Sequence, residues 1–160
     1  MEAFSIRECE AEDLDAIVAI ERQSFTDPWP KRLFAHMLRS GNTHFFVGEL
    51  KGMVVGYIIG RRDASDLWSK AQEPKVFGHV MNIAVTPSYR HKGLGMKLML
   101  ALEQAFKKEG LYCVKLEVRA SNVEAQRFYA HLGYAAEGRI PLYYHDEDGI
   151  IMRKDLHISH

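Results

Sequence analysis

The sequence predicts a single mixed α/β domain over residues 1–160. Two observations carry this. Blocks with the two-residue period of strands and blocks with the helical period alternate along the chain. No linker, internal repeat or low-complexity tract separates them. The length of 160 residues is that of one ordinary domain, and a hydrophobic content of 47% suffices for one packed core.

Ala3 to Cys9 alternates and is expected as a first strand. Glu12 and Asp13 open an amphipathic helix with Leu14, Ile17 and Val18 on one face. Pro28 and Pro30 exclude regular helix around Trp29, and Lys31 to Leu38 forms a second short helix stopped at Ser40-Gly41-Asn42. His44 to Leu50 and Met53 to Arg61 read as two strands joined at Lys51-Gly52, a hairpin signal. Arg62 to Lys75 is polar and irregular and is expected as a loop. A strand over Val76 to Val85 closes at Thr86-Pro87. Leu94, Leu98, Ala101, Leu102 and Ala105 then form the apolar stripe of a helix over Leu94 to Lys108, ended by Gly110. A strand over Leu111 to Val118, a helix over Val123 to Leu132, and strands near Tyr134 to Arg139 and Asp148 to Leu156 complete the order β-α-α-β-β-β-α-β-α-β-β.

Lysine plus arginine equals aspartate plus glutamate at 21 each, so the chain is formally neutral. Neutrality gives no support to nucleic-acid or membrane-surface binding as the main task. The N-terminal MEAFSIRECE lacks a basic start and an apolar run, so no signal peptide is expected, and no apolar stretch approaches a membrane span. A cytoplasmic protein is the resulting expectation. Cys9 and Cys113 are far apart and belong to no CxxC pair, so they are expected as ordinary buried thiols rather than as a metal or redox site.

Arg90-His91-Lys92-Gly93-Leu94-Gly95 lies between a strand and the longest helix. A glycine-rich turn at a helix N-terminus exposes backbone N–H groups to the positive end of the helix dipole, and three basic side chains add donors. That chemistry suits a pyrophosphate. The string is not a Walker loop, and as a dinucleotide fingerprint it carries Leu98 where the third glycine belongs. Glu117 could still serve as the acidic residue of such a fingerprint, and the glycines alone could simply make a tight turn.

The neighbouring residues narrow the choice. Asn82-Ile83-Ala84-Val85-x-Pro87 followed by Arg90-x-x-Gly93-x-Gly95 resembles the coenzyme A loop of the GNAT acetyltransferase superfamily. Ser121-Asn122-x-x-Ala125-x-x-Phe128-Tyr129-x-x-x-Gly133-Tyr134 resembles the helix that follows it there. Both blocks stand in the expected order and spacing, and the resemblance covers nearly the whole chain in element order. Leu116 to Asn122 and Phe25 with Pro28-Trp29 are similar to RimI-type ribosomal-protein alanine acetyltransferases. Gly78-His79-Val80, Tyr143-Tyr144 and the acidic residues Asp146 to Asp148 resemble archaeal and eukaryotic catalytic subunits of N-terminal acetyltransferases, and the long Arg62–Lys75 loop leans toward the archaeal form.

The resemblance implies a GNAT acyl-CoA N-acyltransferase fold, a mixed, twisted sheet with helices on both faces, with the co-substrate entering where two parallel strands separate. It implies acetyl-CoA as co-substrate and no metal. It assigns the acetyl-CoA contacts to Ile83, Ala84 and Val85, to Arg90, His91, Lys92, Gly93, Leu94, Gly95 and Met96, and to Asn122 and Tyr129. Acetyl transfer to an amine needs a base for the amine and an acid for the departing thiolate. Glu117 is the candidate base through a water, His79 a second candidate, and Tyr129 the candidate acid. Without the resemblance, Glu117 would read as part of a solvated strand face, His79 as structural, Tyr129 as core and Asn122 as a helix N-cap. Phe25, Pro28, Trp29, Tyr143 and Tyr144 are the candidates on the peptide side.

The expected function is acetyl transfer to the α-amine of protein or peptide N-termini, with ribosomal proteins among the candidate substrates and an auxiliary subunit or a homodimer among the candidate assemblies. Two alternatives stand beside it: a GNAT enzyme for a small amine such as a polyamine or aminoglycoside, and a non-catalytic acyl-CoA-binding module. Retention of Glu117 and Tyr129 speaks against the module, and the aromatic residues on the peptide side speak weakly against the small amine.

Overall fold

A computed structural model describes residues 3–64 and 76–156. The elements are β1 (Ser5–Glu8), α1 (Leu14–Ser24), α2 (Lys31–Arg39), β2 (Thr43–Leu50), β3 (Met53–Ala64), β4 (Val76–Val85), α3 (Leu94–Lys108), β5 (Cys113–Arg119), α4 (Val123–His131), β6 (Ala135–Ile140) and β7 (Gly149–Asp155). Single 3-10 turns over Ala11–Asp13 and Pro87–Tyr89 precede α1 and α3. The strands form one mixed sheet in the order β1-β2-β3-β4-β5-β7-β6. Residue contacts divide the chain into two units, Met1–Arg61 with Met81–Ala105, and Arg62–Val80 with Phe106–His160.

In the first unit β1, β2 and β3 pair antiparallel. The β2–β3 hairpin turns on Lys51 and Gly52, both at positive φ (53° and 79°), the primed-turn geometry that follows the strands' own twist. Ile17, Phe34, Val47, Tyr57 and Ile59 are fully buried and form the centre of its core. The bend between α1 and α2 falls where Pro28 and Pro30 require it. A side chain on Gly48 would place its Cβ 2.6 Å from Leu94 Cδ1, so the first turn of α3 lies close against β2.

In the second unit β5 pairs antiparallel with β7 from Cys113↔Asp155 to Arg119↔Gly149, and β7 pairs with β6. β4 runs parallel to β5, with Gly78 opposite Val114 and His79 opposite Lys115. Phe106 packs directly on Gly78, where an added Cβ would sit 2.4 Å from the ring. Cys9 and Cys113 are both free and buried, as expected.

One expectation is corrected, and one reading made without the resemblance is replaced. The loop expected from Arg62 does not begin there, because β3 continues to Ala64. Its exposure alternates from residue to residue over Arg61 to Ala64, so the polar side chains sit on a strand that keeps its two-residue period. The remainder of that expected loop, residues 65–75, lies outside the described residues. The face of β5 that carries Glu117 is also not a solvated one: Cys113 and Lys115 are each 1% exposed. The strand lies between β4 and β7, and its polar side chains find partners instead of water.

Candidate active site

Alternation along β5 puts Lys115, Glu117 and Arg119 on one face, and each is answered by charge. Lys115 Nζ lies 3.1 Å from Glu137 Oε2 and over the Phe77 ring. Arg119 pairs with Asp146 at 2.9 Å and Glu147 at 3.2 Å and covers the Tyr144 ring. Between them Glu117 meets His79 of β4. His79 Nε2 is 2.7 Å from Glu117 Oε2 and 3.0 Å from Oε1. The other ring nitrogen, Nδ1, is 3.1 Å from Asp63 Oδ2 near the end of β3. The His79 and Glu117 side chains are 7% and 8% exposed, and that of Asp63 is 25% exposed. Tyr143 donates its O–H to Glu117 Oε1 at 2.6 Å.

Tyr143 and Tyr144 sit in the loop between β6 and β7. Leu142 and His145 take positive φ there (52° and 70°), a conformation non-glycine residues hold only when surrounding contacts fix them. Asp148 accepts the Leu142 N–H, and Glu147 O accepts the Tyr144 N–H. Burial and the Glu117 bond push the Tyr143 phenol far above its ordinary range. Burial, with the Glu117 charge adding and Arg119 opposing, pushes Tyr144 up to about 12.

Asn122 caps α4 by accepting the Ala125 N–H at 3.0 Å. One helical stretch further on, Tyr129 is buried with its ring edge-on to Phe128 and Tyr134. Among the described residues, no group hydrogen-bonds its hydroxyl. Burial first, then the nearby Tyr144 and Glu117, hold this phenol protonated far above neutrality. It is therefore a proton donor with no acceptor among the described residues.

The first unit contains the glycine-rich turn. His91 (φ 62°) and Gly93 (φ 91°) turn the chain into α3, and a Cβ on Gly93 would meet nothing within 4 Å. The first N–H groups of any helix lack partners within it, so this open turn with Lys92 and His91 beside it fits a pyrophosphate. Arg90 uses two donors internally, Nε to Val85 O at 2.9 Å and Nη2 to Ser24 Oγ at 3.1 Å, and so fastens the turn to β4 and α1. Leu94 is core by its side chain (1% exposed), leaving only its backbone to a ligand, whereas Gly95 is half-buried and Met96 is exposed. Ile83 and Val85 are half-buried and Ala84 is buried.

Phe25 closes α1 and is exposed; Pro28 and Trp29 follow in the bend, with Trp29 stacked at a tilt on Phe34. The Trp29 N–H donates to Glu21 Oε1 at 3.1 Å. Glu21 is 1% exposed and also accepts from the Tyr57 hydroxyl and from Asn82 Nδ2 at 2.9 Å. Sequence reasoning missed Glu21 and Asp63. The signal for Glu21 was present: it falls at the next position of the Leu14, Ile17, Val18 stripe, where a charge must be buried with donors. Asp63 gave none, because a polar strand end and a loop look alike. Among the described residues, no group of three or more acidic, histidine or cysteine side chains is placed to hold a metal ion, and no helix is long and apolar enough to cross a membrane.

The model of the acetyltransferase (GNAT) family matches residues 14–134, and the chain belongs to that family. It is 38% identical over 151 residues to an uncharacterized N-acetyltransferase of Methanocaldococcus jannaschii, covering 93% of this chain and 90% of that one. It is 34% identical over 163 residues to an N-alpha-acetyltransferase of Sulfurisphaera tokodaii, covering 96% and 93%. The crystal structure of the ribosomal-protein-S18-alanine N-acetyltransferase from Escherichia coli superposes with a TM-score of 0.81 at 28% identity, covering 99% of this chain and 97% of that one.

Proposed function

We propose that the chain transfers an acetyl group from acetyl-CoA to the α-amine of protein or peptide N-termini. The observation that carries this reading is the hydrogen-bonded Glu117–His79 pair with Tyr143 on its open side, in a chain similar to an N-alpha-acetyltransferase and to a ribosomal-protein alanine acetyltransferase. Acetyl-CoA supplies the acyl group as an activated thioester when bound. The turn from Arg90 to Met96 holds its pyrophosphate by backbone N–H groups, and the backbone of Ile83 to Val85 holds its arm. Glu117, with His79 at its side, takes the amine proton through a water. Tyr129, protonated at neutral pH, gives a proton to the departing sulfur. Trp29, Tyr143 and Tyr144 bind the peptide.

Proton arithmetic favours an α-amine over a lysine. Only a neutral amine attacks, and at pH ~7.5 about a third of α-amines are neutral against about one lysine in a thousand. A lysine-directed site needs strong desolvation to lower the ammonium pKa; a relay on Glu117 is enough for an α-amine. Two versions of one peptide test this, one with a free N-terminus and no lysine, the other N-blocked with one internal lysine. Acetylation of only the free N-terminus at neutral pH is the expected result. Equal rates on the two peptides overturn the assignment.

A further inference from the structure

We propose that Glu21 is a positioning residue for the peptide: its buried carboxylate fixes the bend that presents Trp29. This rests on the reading of Trp29 as a peptide-binding residue. Glu21 continues the stripe of α1 through Leu14, Ile17 and Val18 and is 1% exposed, where the helical period calls for an apolar side chain. A carboxylate taken out of water is costly unless donors surround it. Here three residues supply them. Oε1 accepts the Trp29 N–H at 3.1 Å, Oε2 accepts the Tyr57 O–H, and Asn82 Nδ2 lies 3.1 Å from Oε1 and 2.9 Å from Oε2. Asn82 Nδ2 also reaches the Tyr57 hydroxyl oxygen at 3.1 Å.

Two of these donors belong to strands, Tyr57 to β3 and Asn82 to β4, and they fix where the carboxylate lies. The third is backbone of the irregular segment between α1 and α2, and its bond carries that position on to the bend. The Trp29 ring is held toward the same point by a second route. It packs on Phe34 with ring centroids 5.5 Å apart, and Phe34 meets Tyr57 edge-on at 5.5 Å. Backbone and ring of Trp29 thus both trace to Tyr57, which is fully buried. Trp29 itself is only half-buried, and Phe25, which closes α1, is 40% exposed, so the bend keeps apolar surface for a ligand. A buried polar group with its donors in place specifies one geometry, at a cost in stability against an apolar core. At Glu21 the geometry so specified is that of Trp29. Holding the bend before the peptide arrives removes an ordering cost from binding. The chemical step is left untouched, because the carboxylate is enclosed and its oxygens are occupied by these donors.

Glu21→Leu combined with Tyr57→Phe replaces both partners by apolar groups, which spares the fold a stranded hydroxyl. The pair of substitutions should raise the peptide KM about tenfold, the size expected when a bulky side chain is ordered on binding instead of beforehand. Both kcat and the acetyl-CoA KM should be little changed. Glu21→Gln, whose carbonyl still accepts the Trp29 N–H, should recover most of the peptide KM. A lower urea midpoint with an unchanged peptide KM, or a loss confined to kcat, overturns the proposal. Should the doubly substituted chain not fold, Glu21→Asp keeps the charge and draws the carboxylate back from the Trp29 N–H by one methylene. A raised peptide KM in that variant supports the proposal, and an unchanged one overturns it. Fluorine NMR spectra of protein carrying fluorotryptophan need no turnover. The resonance that Trp29→Phe removes should be a single sharp line in the wild-type protein, and it should broaden or split in the Glu21 variant used. An unchanged line also overturns the proposal. If the wild-type protein acetylates no free N-terminal peptide, the reading of its function fails, and the fluorine spectra still decide whether Glu21 holds Trp29.

Discussion

At the residue scale, the proposed chemistry depends on side chains whose surroundings decide their protonation. Glu117→Gln keeps the shape and removes the accepting oxygen's charge; Tyr129→Phe keeps the ring and removes the donor. Each should lower turnover by roughly 10²–10⁴-fold in steady-state assays if proton transfer depends on that group. A loss below about threefold for Glu117→Gln, beside a large loss for His79→Ala, reassigns the base to His79. Glu117 and Tyr129 were singled out as candidates because a spaced motif surrounds them. Asp63 and Glu21 were not, because a side chain's partners across a sheet are set by register, and register is a property of several strands at once. Glu117 shows the same limit from the other side. Its strand alternation was readable, but whether the polar face meets water or a second strand was not.

At the element scale, the N-terminus of α3 and the bend before α2 are built by local sequence, and both were legible. Gly93 at positive φ and the proline pair around Trp29 leave the backbone few choices. Helix and strand limits were legible to within a few residues, with the largest difference in β3, which continues through Arg62 and Asp63 to Ala64. The turn into α3 carries a direct test. Gly95→Trp adds an indole to the first turn of α3. Acetyl-CoA affinity measured by calorimetry should fall at least tenfold, about 1.4 kcal/mol, with the circular dichroism spectrum unchanged. Unchanged affinity in the folded variant sinks the placement of the pyrophosphate.

At the scale of the whole molecule, the element order was legible because helix and strand periods alternate cleanly. The division of contacts into two units was not, since β3, β4 and α3 each contribute residues to both. Acid stability is a property of this scale. The Arg7 guanidinium, bonded to Asp13 at 2.8 and 2.9 Å, holds that carboxyl below its ordinary range, and the Glu10 N–H adds to the effect. A carboxyl lowered on folding contributes stability above its unfolded pKa and loses it as pH falls through the folded one. Asp13→Asn should therefore cost about 1 kcal/mol at pH 7, the value of a charge-assisted bond reduced by the solvent around Arg7. The gap from wild type in urea denaturation should narrow once the pH falls below about 4. A gap that persists undiminished in acid would assign the loss to packing and not to charge.

The buried Glu21 has one more consequence. Proline has no backbone N–H, so in Pro28-Trp29-Pro30 only the central residue carries an exchangeable amide, and Glu21 holds it. That hydrogen exchanges with deuterated solvent only when the bend lets go of the carboxylate, while its neighbours are silent. A single amide thus times the opening of the segment that carries Trp29, and a bound peptide that closes the bend would register as slower deuterium uptake at that one position.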